Sequence, residues 1–535
     1  MPTFKLDDRD IPFEAGDTII SAAARAGIEI PHYCWHPGLS VAANCRMCLV
    51  ELGPPPGRQP LMLDVIRWDA EKGEYIQEKK PKLVPACQQP AGEGMVVKSD
   101  TSEHVIRARK AVQEFLLLNH PVDCPICDQA GECRLQDYWL EHQADQKRMR
   151  DAPVHKPKAQ PFGPTIVYDA ERCILCTRCV RFCDEVAQDP VLSKRDRGNL
   201  SEIVLAEGRQ LDHPYSLMTE FVCPVGALTA VDFRFKARVW FLRSARTICQ
   251  GCATGCNAYL DYDPRQQRVY RHRPRENPDV NKYWMCDEGM LSYQRVERDR
   301  LLKARSKGKR RRLEKGIAAA AKRLRGLAGE ELAVVLSAQH SNEDNYALLQ
   351  LARALGVKRL FIGGMPEGEG DAVLRDPDKN PNTAGVEQLC GEDVPAPLDT
   401  FASAAGESVT RAVILGGEVP GEQALEALGA LESLVVIASH GTALVELADV
   451  VLPACTWAET TGTFVNAKGL AQESERAIRP KGDSRPAWQL IAAVARELGH
   501  DLGFKRLSEI KAAAASVPVV PPASEAASAE AGAAG

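Results

Sequence analysis

The stretch CILCTRCVRFC, residues 173–183, places four cysteines in eleven positions. Its CxxCxxCxxxC spacing matches the ferredoxin-type run that binds [4Fe–4S] clusters, in which the fourth cysteine normally binds a different cluster and is followed by proline. Here Asp184 follows Cys183, and the cysteine–proline pair occurs downstream as Cys223 and Pro224. No second CxxCxxC run precedes that pair. The sequence therefore predicts one [4Fe–4S] cluster bound by Cys173, Cys176, Cys179 and Cys223, with Cys183 left over.

Cysteine usage elsewhere in the chain points to the same chemistry. Sixteen of the eighteen cysteines lie between Cys34 and Cys286, and only Cys390 and Cys455 fall in the remaining half. Short two- and three-residue spacings preorganise soft thiolate ligands on one side of a metal centre, whereas disulfides need no such spacing and do not persist in reducing compartments. We therefore expect further metal sites beside the one above.

One predicted site combines three clustered cysteines with a distant one. Its ligands would be Cys34, Cys45, Cys48 and Cys87. This arrangement on a small β-grasp fold suits a [2Fe–2S] cluster, although the spacing differs from the plant-type pattern and an insertion over residues 53–82 lengthens the gap to the last cysteine. A structural zinc site is the alternative, but zinc ligands more often occur as two CxxC pairs.

A histidine joins three cysteines in HPVDCPICDQAGEC, residues 120–133. Three cysteines cannot complete a cuboidal cluster, and the histidine lies within loop reach of them. The predicted ligands of a [4Fe–4S] cluster are therefore His120, Cys124, Cys127 and Cys133. A neutral imidazole makes the site less negative, which should raise its reduction potential, as histidine ligation does in Rieske centres. Zinc bound by the same four residues remains open on this segment alone.

The last predicted site lies in CQGCATGC, residues 249–256, and WMCDEG, residues 284–289. Its ligands would be Cys249, Cys252, Cys256 and Cys286, which gives one [2Fe–2S] and three [4Fe–4S] clusters in all. Four sites in succession favour iron–sulfur chemistry, because four adjacent zinc sites would serve no comparable purpose. In chain order these groups of residues are the first, second, third and fourth sets.

No catalytic nucleophile, triad, Walker loop or GxGxxG fingerprint competes with this interpretation. The nearest glycine-rich stretch, GGEVPG at 416–421, has the wrong spacing for a nucleotide fingerprint and reads as a turn. We therefore expect no catalytic residues and no NAD, flavin or quinone site in this chain.

The composition is that of a globular protein with several domains. With 535 residues, 44% of them hydrophobic, the chain can bury large cores, and no apolar run approaches the roughly 18 residues that span a bilayer. The N-terminus lacks the basic-then-apolar layout of a signal peptide, and a net charge of -5 gives no electrostatic footprint for nucleic acid. We expect a soluble intracellular protein that binds no nucleic acid.

Secondary-structure patterns predict a multidomain protein of α+β and α/β class. Residues 3–27 read as two strands and a helix, and residues 101–119 have helical spacing. The basic run KARSKGKRRR, residues 303–312, reads as a solvated linker. Beyond it, strand patterns alternate with helical ones, which is typical of a mostly parallel sheet. The predicted strands are LAVVLS (332–337), RLFIGG (359–364), RAVILG (411–416), SLVVIA (433–438) and DVVLPA (449–454).

These patterns and the cysteine sets suggest six segments. They are a β-grasp [2Fe–2S] ferredoxin domain (1–98), a [4Fe–4S] segment with one histidine and three cysteine ligands (99–150), a ferredoxin-like [4Fe–4S] domain (151–240), a four-cysteine [4Fe–4S] domain (241–300), an α/β domain (301–511) and a disordered Ala/Pro/Ser tail (512–535).

The order of the sites resembles that of the large iron–sulfur subunit of bacterial NADH-quinone oxidoreductase, which is respiratory complex I. The resemblance runs from residue 1 to about residue 300. The stretch DVVLPACTWAETTGTFVNAKGLAQESERAIRP, residues 449–480, is also similar to the molybdopterin oxidoreductase fold. The α/β segment is too short to enclose a molybdenum cofactor, and neither Cys390 nor Cys455 takes the place of a molybdenum ligand. This implies a shortened, inactive domain.

The resemblance implies an electron relay within a multisubunit NADH:quinone oxidoreductase. Electrons from NADH would pass from a flavin- and NADH-binding subunit to the first set, then the third, then the second, and leave to a ferredoxin-like iron–sulfur subunit. The fourth set occurs in only some family members, lies off that route and favours a bacterial protein. Together with other peripheral-arm subunits, the chain would sit on the cytoplasmic face of the inner membrane without spanning it.

Two other functions remain open from the sequence. Iron–sulfur subunits of NAD-linked formate dehydrogenases and hydrogenases reuse the same N-terminal domains, although the shortened α/β segment argues against a catalytic formate dehydrogenase. A zinc-binding assembly module without redox activity is an alternative from a different class.

Overall fold

The computed structural model describes residues 1–53, 61–142, 148–327 and 329–517. The chain divides into two units, Met1–Trp240 and Phe241–Gly535. Short cysteine-bearing loops join small sheets and helices in the first unit, whereas one large sheet dominates the second. Among the described residues, no helix is both long and apolar enough to cross a lipid bilayer.

The N-terminal part of the first unit is a mixed sheet with one helix. Its elements are β1 (Thr3–Leu6), β2 (Arg9–Pro12), α1 (Ile19–Arg25), β3 (Leu49–Leu52), β4 (Met62–Asp69), β5 (Glu74–Pro81), β6 (Leu83–Pro85) and β7 (Val96–Lys98). Five strands pair in the order β2-β1-β7-β3-β6, with β1 and β7 parallel. Phe4 and Leu6 of β1 point into the core while their neighbours are exposed, which is the period-two pattern of a half-buried strand. This mixed sheet confirms the predicted β-grasp class.

Helix α1 has defined caps at both ends. Thr18 forms the N-cap, because its hydroxyl accepts from the backbone N–H of Ser21 in a capping box. The helix ends before Gly27, which has a φ of +75°. The chain then enters the loop that bears the first set.

Strands β4 and β5 form a separate antiparallel ribbon within the insertion before Cys87. Trp68 and Tyr75 lie opposite each other across the ribbon with ring centroids 5.0 Å apart, and both side chains are more than half exposed. Because β3 and β6 on either side of the insertion pair antiparallel, the extra residues leave the sheet intact. Residues 54–60 of the Pro/Gly-rich stretch lie outside the described residues.

Helix α2 (Glu103–Leu117) confirms the predicted helix and leads to the second set. It buries Arg109, whose guanidinium donates to the carbonyl of Leu49 on β3 at 3.3 Å. Gln113 donates from the same helix to the first turn of α3 (Arg134–His142) at 3.0 Å. These buried polar contacts tie α2 to both neighbours and so orient the cysteine loop between the two helices.

The remaining elements of the first unit surround the CILCTRCVRFC stretch, residues 173–183. Its elements are β8 (Gln160–Pro161), β9 (Ile166–Tyr168), α4 (Arg178–Glu185), β10 (Leu192–Arg195), β11 (Glu202–Leu205), α5 (Met218–Val222) and β12 (Leu228–Ala230). Leu175 and Thr177 have left-handed φ values of +55° and +61°. This backbone is costly for a β-branched residue and turns the chain sharply, so that Cys179 lies in the first turn of α4.

The second unit begins with a small antiparallel sheet that bears the fourth set. Its elements are β13 (Arg243–Ile248), β14 (Asn257–Asp263), β15 (Arg268–Pro274) and α6 (Asp287–Leu291). The CQGCATGC loop connects β13 to β14, and Cys286 is the N-cap of α6. Three of the four predicted ligands therefore lie on one tight loop, and the fourth lies at the start of a helix.

A large sheet with helices on both faces forms the rest of the second unit. Its strands are β16 (Ala304–Ser306), β17 (Lys309–Arg311), β18 (Leu332–Ser337), β19 (Arg359–Gly363), β20 (Ala396–Pro397), β21 (Arg411–Leu415), β22 (Ser433–Ala438) and β23 (Val450–Pro453), in the order β17-β16-β23-β22-β21-β18-β19-β20. From β23 to β20 every pair is parallel. This confirms the predicted α/β class and the five predicted strands.

The helices that cover the large sheet follow its strands. They are α7 (Leu313–Leu324), α8 (Asn342–Ala354), α9 (Thr383–Cys390), α10 (Phe401–Ala404), α11 (Glu422–Gly429), α12 (Ala443–Leu447), α13 (Ala487–Leu498) and α14 (Leu507–Ala515), with a β24–β25 ribbon (Gly462–Val465 and Ala471–Ser474) between α12 and α13. Strands β18 and β22 are buried along their whole length. One apolar core involves α7, α8 and α13, and the other involves α10, α11 and α12.

Two expectations about this region were wrong. The basic run is not a linker: Ala304 is fully buried, and β16 and β17 form a hairpin whose first strand pairs with β23. The predicted tail begins too early, because α14 continues to Ala515, four residues past the predicted domain end at 511. Residues 518–535 of that tail lie outside the described residues.

A buried carboxylate on α8 makes the stability of the second unit depend on pH. Asp344 accepts from the backbone N–H of Trp488 at 2.8 Å and from the Ser341 hydroxyl at 3.0 Å, and burial raises its pKa from 3.8 to about 6. Because the folded pKa exceeds the unfolded one, the fold loses stability as pH rises from about 4 to 6, by on the order of 3 kcal/mol for two pKa units.

We expect Asp344→Asn to remove this loss. The thermal unfolding midpoint of the variant, measured by circular dichroism, should exceed that of the wild type by more at pH 7.5 than at pH 5. Glu422→Gln, which changes an exposed carboxylate in the first turn of α11, is the matched control and should leave the profile unchanged. Parallel profiles for the wild type and Asp344→Asn would contradict the assignment.

Candidate metal centres

The first set comes together between the α1–β3 loop and the end of β6. The thiol groups pair as Cys34 with Cys45 and Cys48 with Cys87, each pair joined by a sulfur hydrogen bond. The bond from Cys45, assisted by backbone N–H groups, lowers the pKa of Cys34 to about 5. The bond from Cys48 likewise lowers the pKa of Cys87. The same bonds, together with burial, raise the pKa of Cys45 and Cys48, so one sulfur of each pair is favoured as the thiolate.

Two left-handed residues shape the same loop. Ala43 and Arg46 have φ values of +49° and +61° and flank Cys45. Backbone N–H groups of Asn44 and Cys45 donate to the Cys34 sulfur, and that of Met47 donates to the Cys45 sulfur. Such donors favour the thiolate form that iron requires.

The second set lines one cavity between α2 and α3. His120 follows α2, Cys124 begins a short 3-10 turn that Cys127 caps, and Cys133 immediately precedes α3. Burial lowers the pKa of His120 to about 4, so the imidazole is neutral near pH 7. Its Nδ1 atom is buried and has no hydrogen-bond partner among the described residues. An unpaired buried imidazole nitrogen that lines a cavity with three cysteines fits a metal ligand.

A glycine of the third-set loop keeps the second cavity open. A Cβ atom at Gly226 would collide with the Cys127 sulfur. Gly226 lines the second cavity, while Val225 beside it lines the cavity of the third set. The loop after Cys223 is therefore a wall shared by two cavities.

The third set encloses a cavity between the start of α4 and the end of α5. Its lining includes Cys173, Cys176, Cys179 and Cys223 together with Tyr168, Ile203 and Leu228. Burial raises the pKa of Cys173, Cys176 and Cys223 to about 11 and raises that of Cys179 well above its usual value. The backbone N–H of Leu175 donates to the Cys173 sulfur at 3.4 Å. The structure thus brings together the four residues that the spacing argument selected.

Cys183 lies away from that cavity. It is fully buried on α4, and its sulfur is 3.6 Å from Nε2 of His213. His213 Nδ1 accepts from the backbone N–H of Tyr215 at 3.1 Å, so the ring proton is on Nε2 and faces the thiol. Burial raises the pKa of Cys183 to about 12 and keeps it a neutral thiol.

The fourth set lines a cavity between the β13–β14 loop and α6. Cys249, Cys252, Cys256 and Cys286 form it with Gly289, Arg375 and Lys379. A Cβ atom at Gly289 would lie 2.8 Å from the Cys249 sulfur, so only glycine fits there. Its backbone N–H donates to the Cys286 sulfur at 3.4 Å. Burial raises the pKa of Cys286 to about 11 and those of Cys249 and Cys256 well above the usual value.

The donor chemistry of the four sets fits iron–sulfur clusters. All eighteen cysteines are free thiols. Among the described residues, no three His, Cys, Asp or Glu side chains have the geometry to bind a single metal ion. Each ligand of a [4Fe–4S] cube binds a different iron atom, so the four ligands surround a cavity.

Sequence reasoning missed the arginines beside these sets. Arg172 and Arg178 directly precede Cys173 and Cys179, and both are at least nine-tenths buried. The only signal in the sequence is their position next to predicted ligands.

The remaining cysteines, Cys390 and Cys455, lie buried in the second unit, where burial raises the pKa of each to about 12.

Family comparisons agree with the order of these sites. Five family models match successive segments: 2Fe-2S iron-sulfur cluster binding domain (1–102), NADH-ubiquinone oxidoreductase-G iron-sulfur binding region (109–148), NADH-quinone oxidoreductase subunit 3, ferredoxin-like domain (163–229), molybdopterin oxidoreductase Fe4S4 domain (242–298) and molybdopterin oxidoreductase (388–497). Domains that bind [2Fe–2S] and [4Fe–4S] clusters are therefore present in the chain.

Individual relatives carry related names. The chain is 34% identical over 386 residues to NADH-quinone oxidoreductase subunit 3 of Thermus thermophilus, with 68% of this chain and 48% of that protein covered. It is 38% identical over 297 residues to the mitochondrial NADH-ubiquinone oxidoreductase 78 kDa subunit of Candida albicans, with 55% and 37% covered. A NADH-quinone oxidoreductase subunit of Rickettsia conorii is 27% identical over 630 residues, with 96% and 90% covered.

The alignments span about half of the Thermus protein and little more than a third of the Candida one. The matched segments nevertheless include every predicted ligand set, in the predicted order. The chain belongs to the family of the NADH-quinone oxidoreductase iron–sulfur subunit that is named subunit 3 in Thermus thermophilus and 78 kDa subunit in mitochondria.

Proposed function

We propose that this chain is an electron-relay subunit of an NADH-quinone oxidoreductase. The first set would bind a [2Fe–2S] cluster, and the second, third and fourth sets would each bind a [4Fe–4S] cluster. The observation that carries the proposal is that four groups of soft ligands, predicted from spacing, meet at four separate places in the fold. Bound clusters would supply reversible one-electron chemistry, with potentials set by charge and surroundings.

Contacts between neighbouring sets support the order first, third, second. Arg181 on α4 donates to the carbonyl of Cys34 at 2.6 Å and to that of Cys176 at 3.3 Å, so the first and third sets share one guanidinium. The loop after Cys223 forms the wall between the third and second cavities. This adjacency supports the electron route that the family resemblance implies.

Exposed apolar side chains near the second set support a partner there. Phe115, Val122 and Leu140 are 73%, 92% and 64% exposed, and Val122 lies between His120 and Cys124. Apolar surface of this kind beside a site is typical of a protein interface. We propose that the ferredoxin-like iron–sulfur subunit binds here and that the flavin- and NADH-binding subunit binds near the first set. The other peripheral-arm subunits would complete the assembly at the cytoplasmic face of the bacterial inner membrane.

The large sheet of the second unit is proposed to be an inactive scaffold. Cys390 and Cys455 are neutral, buried thiols rather than open metal ligands. The proposed segment boundary between residues 240 and 241 coincides with the division of the chain into two units, which supports it. The segment boundaries after residues 98, 150 and 300 are proposed as the sequence predicts them, whereas the α/β domain extends at least to Ala515.

Metal analysis of the anaerobically purified chain tests the proposed function. We expect about fourteen iron atoms per chain with matching acid-labile sulfide, and reducible signals in electron paramagnetic resonance (EPR) from both cluster types. Zinc without sulfide would instead identify a non-redox zinc module. Molybdenum together with formate oxidation would identify a formate dehydrogenase subunit.

Two cysteine substitutions test the composition of the third set. Cys183→Ala should keep the full iron content, because its sulfur lies away from the cavity, whereas Cys223→Ala should lose about four iron atoms and one [4Fe–4S] signal. Iron and sulfide content and EPR spectra of the two variants provide the measurement. The opposite pattern would show that Cys183 completes the site.

Substitution of His120 tests the second set. His120→Cys should keep a cluster with an altered EPR signal and a lower midpoint potential, because a thiolate adds negative charge, whereas Cys124→Ala should lose the cluster. His155→Ala is the matched control, since the His155 side chain is 84% exposed and lies outside the sets. An unchanged spectrum in His120→Ala would exclude histidine as a ligand.

A further inference from the structure

Two arginines on α4, Arg178 and Arg181, lie between the first and third sets. Arg178 donates to the carbonyl of Trp35, beside Cys34, and at 3.5 Å to the carbonyl of Val222, beside Cys223. Arg181 donates to the carbonyls of Cys34 and Cys176. Both guanidinium groups therefore contact the backbone of ligand loops that belong to two different sites.

Neither arginine has a carboxylate partner within the part of the chain that the structure describes. Arg178 is only 9% exposed, and its Nε, like that of Arg181, has no hydrogen-bond partner among the described residues. Arg172 provides the contrast: it is buried to a similar extent, but it pairs with Asp123 at 3.0 Å and with Asp169 at 3.3 Å.

A buried guanidinium without an acidic partner is costly, so a counter-charge must come from elsewhere. Arg178 contacts the backbone beside Cys34 and beside Cys223, and Arg181 contacts the backbone of Cys34 and of Cys176. The groups of opposite charge beside both arginines are therefore the cysteines of the first and third sets. The sulfur ligands of the two sites are thus the available counter-charge.

We propose that Arg178 and Arg181 are positioning residues whose positive charges are shared by the first and third sets and set the reduction potentials of both. The inference rests on the proposed function, since it requires clusters at these two sets. A nearby positive charge favours the state with one more electron, so it raises a reduction potential. The second set should depend on the pair less, because the arginine that lines its cavity, Arg172, is already balanced by aspartates.

Redox titration of the full chain, followed by EPR, tests the proposal. In Arg178→Gln and in Arg181→Gln, two midpoint potentials should fall. One belongs to the [2Fe–2S] signal of the first set, and the other to the [4Fe–4S] signal of the third set, which is identified as the signal lost in Cys223→Ala. We expect at least a tenfold loss in each reduction equilibrium constant, which is about 59 mV for a one-electron couple. The signal of the fourth set should not move.

Two further variants separate charge from structure. Arg181→Lys retains the positive charge and should leave both midpoints at the wild-type values. Arg209→Gln removes an arginine that is 51% exposed and paired with Asp189 at 2.7 Å, and it should move neither midpoint. If Arg178→Gln does not fold, Arg181→Gln decides, because Arg181 is only partly buried.

The outcomes distinguish this inference from the proposed function. Unchanged midpoints in a fully loaded Arg181→Gln chain, or a shift in only one of the two signals, would overturn the shared charge. An equal shift in Arg181→Lys would also overturn it, because the effect would then come from lost hydrogen bonds. Absence of iron and sulfide from the wild-type chain would contradict the proposed function itself.

Discussion

Burial of the cysteine sulfurs disfavours the negatively charged thiolate that iron binding requires, and several features of the first unit offset this effect. The pKa of Cys173 rises to about 11 because its thiol is withdrawn from water. Backbone N–H groups aimed at sulfur, left-handed residues that aim them, and the α4 arginines all favour the thiolate.

The large sheet supports the loop that bears most of the fourth set. Loops from the α/β part of the second unit hold the CQGCATGC loop: the N–H of Ala253 donates to the carbonyl of Asp378 at 2.8 Å, and the Thr254 hydroxyl donates to that of Leu374 at 2.6 Å. The N–H of Ala467 donates in turn to the carbonyl of Ala253 at 2.8 Å. A sheet buried on both faces is a rigid support for these loops, which gives the large sheet a structural role beside the fourth set.

Features set by local spacing could be predicted from the sequence, whereas features set by distant partners could not. The ligand sets and the parallel strands follow from cysteine spacing and from short apolar runs, and the structure brings both together as expected. The run 303–312 looks solvated by its charge, but pairing of β16 with β23, far along the chain, makes it a strand. Arg178 likewise resembles any surface arginine, because its burial depends on Trp35, 143 positions earlier.

Gly226 links two sites that are otherwise encoded separately. It contributes no ligand, yet the wall it forms on the third-set loop leaves space for the sulfur of Cys127 in the second set. In genetic terms, a missense change in this one codon would damage a proposed centre whose four predicted ligands are all encoded far upstream. Its phenotype would resemble the loss of a ligand, although the altered position belongs to the loop of a neighbouring centre.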